Sequence, residues 1–295
     1  MGGSKGENER GYMKVLTKKR CVIGESPIWN EREEKLYFTN GYKKELCIYD
    51  LQTEQLTVRQ TPVGISSVAF DRQNRLIVAH MGGVFFLDEK DGLTAIYDGE
   101  KYKIHHATDM KVGPDGAIYV GTVSEKFCGI SEKTDGRLYR ISVDGEVQIL
   151  LDGLILSNGL EWSMDESKFY HADTGTHTIK EYFFDKETGE IVFSGRLVRV
   201  DGVDGLTIGK DNCLYVSGAW TRKIVVIDCE TFTVKSHISP PSTFPMSCGF
   251  CGKDMDKLAV TTASDTADIQ QDKNAGFTVI YPMQTTGRPP YLYGV

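Results

Sequence analysis

The sequence predicts an all-β chain folded as a six-bladed β-propeller, closed by pairing of an N-terminal strand with the last blade. Two observations predict it. A block of two short apolar strands joined by a polar turn recurs six times, and successive copies start 41, 42, 50, 46 and 42 residues apart. A period of roughly 40–50 residues built from short strands is that of propeller blades, one four-stranded sheet each. No stretch outside the copies carries a long period of 3.6, so a helical solenoid is excluded.

The copies justify the blades in order. The first reads ESPIWNEREEKLYFTN from Glu25, with LYFTN rich in aromatic and β-branched residues. The second, SSVAFDRQNRLIVAH from Ser66, and the third, TDMKVGPDGAIYVGT from Thr108, turn at DRQN and GPDG. The fourth is NGLEWSMDESKFYHAD from Asn158, the fifth DGLTIGKDNCLYVSG from Asp204 and the sixth MSCGFCGKDMDKLAVTT from Met246. Polar or glycine turns between β-branched runs are the mark of hairpins. A sandwich or barrel of unrelated strands would not match column by column. MKVLTKKRCVI from Met13 precedes the first copy and FTVIYPM from Phe277 follows the last. An N-terminal strand completing the last blade removes the open sheet edge that otherwise invites aggregation.

Length and composition fit one domain over residues 13–295, because a repeat array grows by adding blades. The first twelve residues, MGGSKGENERGY, are polar, without the apolar core of a signal peptide, and are expected to form a disordered tail. Glycine at position 6 breaks the myristoylation pattern that MGGSKG otherwise suggests. No apolar run approaches the roughly 20 residues that span a membrane. The net charge of −7, with no basic cluster beyond the KKR at Lys18, excludes a nucleic-acid partner. Seven scattered cysteines fit buried thiols in a reducing cytoplasm better than a disulfide framework. Cys248 and Cys251 form a single C-x-x-C, which without a second pair is weak evidence for zinc or redox chemistry. The G-x-S-x-G elbow, H-E-x-x-H, the P-loop and G-x-G-x-x-G are all missing.

Function must then come from ring geometry. The innermost strand of each blade starts at one mouth of the central channel, so the residues entering it face the axis: Glu25, Ser66, Thr108, Asn158, Asp204 and Met246. Two carboxylates and an amide from three blades converge. Without a cation, Glu25 and Asp204 repel in a poorly solvated channel and one has its pKa raised. A bound cation removes the conflict, and hard oxygen donors suit Ca²⁺ first, with Mg²⁺, Mn²⁺ or Zn²⁺ as alternatives. Ser66, Thr108 and Asn158 could instead only cap strand starts. That reading is weaker for Glu25, a poor turn residue, and for Asp204, whose neighbouring glycines already make the turn.

GESPIW at Gly24, SNGLEWS at Ser157, DGVDGLTI at Asp201 and GRPPYLY at Gly287 resemble the regucalcin and gluconolactonase family, which includes sugar lactone lactonases and a luciferin-regenerating enzyme. The resemblance runs from about Val15 to the C-terminus. It implies a six-bladed propeller with one divalent cation in the channel, held by Glu25, Asn158 and Asp204, the residues the first column selects. It also implies hydrolysis of a cyclic ester, with the cation polarising the carbonyl and activating water. Asp204 is then the general base and later proton donor to the ring oxygen. Sugar-specific members carry an Arg-x-Asn-Asp stretch where this chain has His106, Ala107, Thr108 and Asp109, so the arginine's forked, permanently charged contact is lost. A glutamate of the family's following loop falls at Glu125 or Lys126. His106, Thr108, Glu125 and Lys126 are therefore the substrate-binding candidates.

Other residues have plainer readings. His105 is expected at the surface. Asn40, His80, Thr122 and Asp173 occupy equivalent positions at the end of the second strand, where hydrogen bonding in the turn is the expected role. Trp29 and Trp162 are expected to pack between blades, and Trp220 to lie at the channel mouth. The function expected is a cytoplasmic, divalent-cation-dependent lactonase acting on a small lactone. The alternative is a non-catalytic metal-binding propeller serving as a binding or regulatory module.

Overall fold

The computed structural model describes residues 13–294 apart from positions 241, 243 and 266; the N-terminal tail expected over residues 1–12 lies outside the described residues. Among the described residues twenty-four strands pair into six antiparallel sheets of four, arranged as a six-bladed propeller. Blade I is β2 (Gly24–Asn30), β3 (Lys35–Asn40), β4 (Glu45–Asp50) and β5 (Gln55–Gln60). Blade II is β6 (Ser67–Phe70), β7 (Leu76–His80), β8 (Gly83–Leu87) and β9 (Leu93–Ala95). Blade III is β10 (Ala107–Val112), β11 (Ile118–Thr122), β12 (Gly136–Ile141) and β13 (Val147–Leu154). Blade IV runs β14 (Ser157–Trp162), β15 (Lys168–Asp173), β16 (Thr178–Phe184) and β17 (Ile191–Arg199). Blade V runs β18 (Val203–Gly209), β19 (Cys213–Gly218), β20 (Lys223–Asp228) and β21 (Thr233–Ile238). Blade VI combines β22 (Pro245–Cys251), β23 (Lys257–Thr262) and β24 (Thr278–Pro282) with β1 (Lys14–Thr17). Each repeated sequence block is thus the inner hairpin of one blade.

Burial grades from axis to rim, which explains why the inner hairpins carry the repeat. All six residues of β19 are buried, whereas β21 of the same blade is exposed at five of six positions. Between blades the core is aromatic. Trp162 of blade IV sits edge-on to Tyr119 of blade III with ring centroids 4.8 Å apart, and Trp29 belongs to a cluster shared with Phe250 of blade VI. Both tryptophans therefore pack between blades as expected.

The ring is closed twice. β1 pairs with β24 from Lys14↔Ile280 to Thr17↔Thr278, the closure the sequence predicts. The C-terminal segment then straps the far end, where the inner hairpins turn. Lys210 N–H donates to Thr286 O (2.8 Å), Gly287 N–H to Met255 O (2.8 Å), Tyr293 N–H to Phe70 O (2.9 Å) and Gly294 N–H to Gly116 O (3.1 Å), so one strand of chain ties four blades. Six of the seven cysteines are buried, and Cys128 departs from the expectation because it stands exposed in the loop after β11. Cys248 and Cys251 are core thiols that burial pushes up to about 12, and Cys248 Sγ donates to Tyr215 O.

Removing residues 1–17 strips β1 from blade VI and exposes the β24 edge. Burial of Leu16 alone is worth roughly 1.5–3 kcal/mol, so the truncated chain is expected to unfold at least about 2 kcal/mol more easily and to form oligomers. Denaturant unfolding and size-exclusion chromatography check both; unchanged stability would mean that the C-terminal strap alone closes the ring.

Candidate active site in the central channel

The inner strands converge so tightly that the chain must omit side chains beside the site. A Cβ on Gly159, directly after Asn158, would meet Asp204 O at 2.4 Å. A Cβ on Gly205, directly after Asp204, would meet Ser247 Oγ at 2.1 Å. This is the physical reason for the N-G and D-G pairs in the fourth and fifth copies. Register shifts separate Glu25 from Ile28, Ser157 from Leu160 and Val203 from Leu206. Such bulges re-aim side chains and are common beside active sites. Ser26, next to Glu25, holds φ at 51°, a left-handed backbone that costs a non-glycine residue strain.

A belt of hydrogen bonds links neighbouring blades around the axis. Val68 N–H donates to Ser26 Oγ (3.0 Å), and Ser67 Oγ donates to Asp109 Oδ1 (3.3 Å), tying blades I, II and III. Thr108 Oγ1 donates to Ser157 O, and Thr174 Oγ1 donates to Val203 O at 2.6 Å, tying III to IV and IV to V. Ser157 Oγ bonds His171 Nε2 at 2.8 Å, and burial pushes this histidine down to about 3, so it stays neutral and fixes the strand start that carries Asn158.

Glu25, Asn158 and Asp204 come together within this belt. Burial, then the charges of Asp204 and Asp109, push the Glu25 carboxyl well above the ordinary carboxylate range. Burial, then Asp109, does the same to Asp204, only partly offset by the Gly205 N–H and the Asn158 amide. Asp204 is 4 % exposed, and its Oδ1 has no hydrogen-bond partner among the described residues. Asn158 Nδ2 also donates to Thr174 Oγ1 (3.2 Å), so the amide is held between the turn of its own blade and the Asp204 carboxylate. The donor set is thus two carboxylates and an amide; among the described residues no three His, Cys, Asp or Glu side chains gather as a metal-holding group. Crowded carboxylates and an orphaned buried oxygen are nonetheless what a hard cation would relieve, so the residues fit one.

Asp109 is the site residue that sequence reasoning passed over. It stands one position beyond the first column, and the signal that could have found it was its place in the HATD stretch. Burial raises its carboxyl and Lys111 opposes the rise. Deeper in the channel Lys111 Nζ reaches Glu161 Oε2 at 2.8 Å, and Arg288 of the C-terminal strap reaches Glu161 Oε1 at 2.8 Å. Burial works against the Glu161 charge, but the two cations outweigh it and hold the carboxyl low. These groups line a cavity of about 80 Å³ bounded by inner strands of all six blades and by residues 288–291.

The substrate-binding candidates fare unevenly. His106 presents a buried Nδ1 with no partner among the described residues. The Thr108 hydroxyl is spent on Ser157 O. Glu125 accepts from Ser131 Oγ (2.6 Å), and Lys126 Nζ lies 3.6 Å from Glu132, so both are engaged within the loop after β11. Ser66, from the first column, bonds Ala79 O as a strand cap. His105 is exposed. His80 and Asp173 accept N–H groups of their own turns, from Gly82 and Gly175, whereas Asn40 accepts from Val22 before β2 and Thr122 from Arg137 of β12.

The architecture is that of a six-bladed propeller with a crowded polar channel, whose candidate site lies at the mouth where the inner strands begin. Residues 23–264 match the SMP-30/gluconolactonase/LRE-like region, and the chain belongs to that family. It is 30% identical over 294 residues to regucalcin of Bos taurus, covering 95% of this chain and 98% of the relative. Among solved structures, a calcium-binding regucalcin of Agrobacterium tumefaciens superposes with a TM-score of 0.85 at 22% identity, covering 96% of this chain and 98% of that one. A gluconolactonase of Xanthomonas campestris superposes with a TM-score of 0.74 at 19% identity, over 92% and 90%. These two likenesses bear on the fold alone.

His171 gives the site a pH dependence that needs no ligand. Its folded pKa lies below the unfolded value of about 6.5, so the unfolded chain binds more protons between the two and stability is lost as pH falls through that window. Each unit below about 6.5 is expected to cost up to roughly 1.4 kcal/mol. The His171→Asn variant should flatten the unfolding free energy against pH in this range; an unchanged slope would place the titration elsewhere.

Proposed function

We propose that the protein is a divalent-cation-dependent lactonase whose cation is held by Glu25, Asn158 and Asp204. The observation that carries this reading is the pairing of two desolvated carboxylates with an orphaned Asp204 oxygen at the channel mouth. Family membership supports it as well. A bound divalent cation supplies Lewis-acid polarisation of the ester carbonyl and a lowered pKa for water. Ca²⁺ suits the oxygen donors best, and Mg²⁺, Mn²⁺ or Zn²⁺ would also be accepted.

The chain's own residues divide the remaining work. Asp204 takes a proton from the attacking water as its oxygen bonds to the carbonyl carbon. It then returns that proton to the ring oxygen as the ring C–O bond breaks, giving a hydroxy acid. Glu25 and Asn158 hold position rather than move protons. His106 Nδ1 is a free polar atom for a substrate oxygen, with Thr108, Glu125 and Lys126 shaping the loop around it. Toward the far end the Lys111, Glu161 and Arg288 ion pairs span the channel, so substrate and product would use the mouth where the inner strands begin. No helix among the described residues is long and apolar enough to cross a membrane.

A second reading, a non-catalytic cation-binding propeller serving as a binding module, has one observation on its side: apolar side chains such as Trp220 and Met81 are exposed in loops at the site end. Hydrolysis decides between the two. Asp204→Asn is expected to lower lactone turnover at least about 10²-fold while leaving circular dichroism unchanged, and turnover at the wild-type rate would sink the assignment. In a separate measurement, Ca²⁺ is expected to raise the unfolding temperature of the wild type at neutral pH and not that of a Glu25→Gln, Asp204→Asn double variant. Stoichiometric binding without turnover of any lactone would favour the binding module.

A further inference from the structure

The two ends of the propeller differ in what they show to solvent. At the site end, six loops join the second and third strands of the blades, at residues 41–44, 81–82, 123–135, 174–177, 219–222 and 263–277. Five of these carry an exposed large hydrophobic residue: Tyr42, Met81, Phe127 with Ile130, Trp220 and Ile269. At the far end, among the described residues, the turns expose a single one, Val143. Turns of equal exposure would otherwise be expected to be alike in polarity.

Three of the apolar loops are tied to the site by direct contacts. The Trp220 ring lies 4.8 Å from the His177 ring, and His177 Nδ1 accepts from Gly202 N–H at 3.2 Å, two residues before Asp204. Ala219 N–H donates to Gly202 O (2.8 Å), and a Cβ on Gly202 would strike the Trp220 ring at 2.5 Å. Trp220, 57% exposed, is therefore seated over the strand that delivers Asp204. On the other side His106 N–H donates to Met81 O at 2.8 Å, and Val123 N–H donates to His106 O at 3.1 Å, anchoring the loop of Phe127 and Ile130. Two polar atoms at this side lack a partner among the described residues, His106 Nδ1 and His80 Nε2, and His80, directly before Met81, stacks its ring on Phe85.

We propose that this mouth selects a lactone bearing an apolar alkyl or aryl substituent rather than a polyhydroxylated sugar ring; the proposal rests on the lactonase reading. A sugar ring carries hydroxyls around its edge, and each must exchange its water for a protein partner or lose a hydrogen bond. His106 and His80 offer only two such partners, while the Thr108 hydroxyl and the Glu125 carboxylate are already bonded. An apolar substituent gains by leaving water against Trp220, Met81 and Phe127.

The test compares δ-decalactone with glucono-δ-lactone, which share a six-membered ring and differ in substituents. Wild-type protein with added Ca²⁺ is expected to favour δ-decalactone in kcat/KM by at least about tenfold. Trp220→Ala, and independently Met81→Ser, should shrink the ratio of kcat/KM for δ-decalactone over unsubstituted δ-valerolactone by a similar factor, chiefly through KM. Preference for glucono-δ-lactone, or ratios unmoved in both variants, would overturn the inference and leave the lactonase reading standing. If no lactone is turned over, the lactonase reading fails, and binding decides the inference alone. Trp29 and Trp162 are buried, so Trp220 dominates the solvent-sensitive fluorescence. Saturable quenching by 5-hydroxydecanoate and not by gluconate supports the apolar mouth, and equal quenching or none overturns it.

Discussion

Six strands that begin beside one axis leave almost no volume between them, and this crowding governs the rest of the structure. It forces glycine after Asn158 and after Asp204, where neighbouring backbones approach too closely for a Cβ. It also pushes the side chains at the strand starts into a shared, poorly hydrated space. Backbone carbonyls such as Ser157 O and Val203 O would be stranded there, and they are satisfied instead by hydroxyls of the adjoining blade or turn. The belt therefore holds the blades in register and fixes the angle at which each functional side chain meets the axis.

Charge along that axis is ordered by the same geometry. At the mouth burial raises the carboxyls of Glu25, Asp204 and Asp109, and like charge adds to it, Asp204 and Asp109 on Glu25 and Asp109 on Asp204. Deeper in, Lys111, Glu161 and Arg288 form a compensated set, with Glu161 7% exposed between two cations. Breaking such a set leaves a buried charge alone, which costs more than the pair contributes when intact. The lower half of the channel is therefore electrostatically complete, while the upper half carries an excess of acid. That imbalance is the physical ground for placing the proposed chemistry at the mouth.

How much of this was legible in the sequence follows from the range of each interaction. The inner hairpins were readable because their burial is uniform within each blade, and Glu25, Asn158 and Asp204 because they start the same strand in different copies. Closure by β1 was readable from a spare apolar run at each end. Asp109 was not, because its importance comes from Glu25 and Asp204 on other blades, and the column rule points one residue earlier. Thr108 shows the opposite failure: its position is right, but a carbonyl from the next blade takes its hydroxyl. Arg288 could be seen only as part of GRPPYLY, since nothing local says that the strap reaches Glu161.

The division between a fixed interior and variable loops has a chemical consequence. The C-terminal strap and the ion pairs of Arg288 occupy one end of the channel, and the loops joining second to third strands lie at the other. Those connections belong to no ladder, so their side chains can change without disturbing the belt or the carboxylates. The 123–135 loop shows the limit of that freedom. It is anchored through Val123 to His106 and through the Val123↔Leu156 bridge to the start of blade IV. A change in loop composition is thereby felt beside His106 and Asn158, while the Asp204 side chain stays positioned by the close packing at Gly205. In the proposed lactonase, substrate choice and bond breaking would thus reside on separate structural elements that share a single mouth.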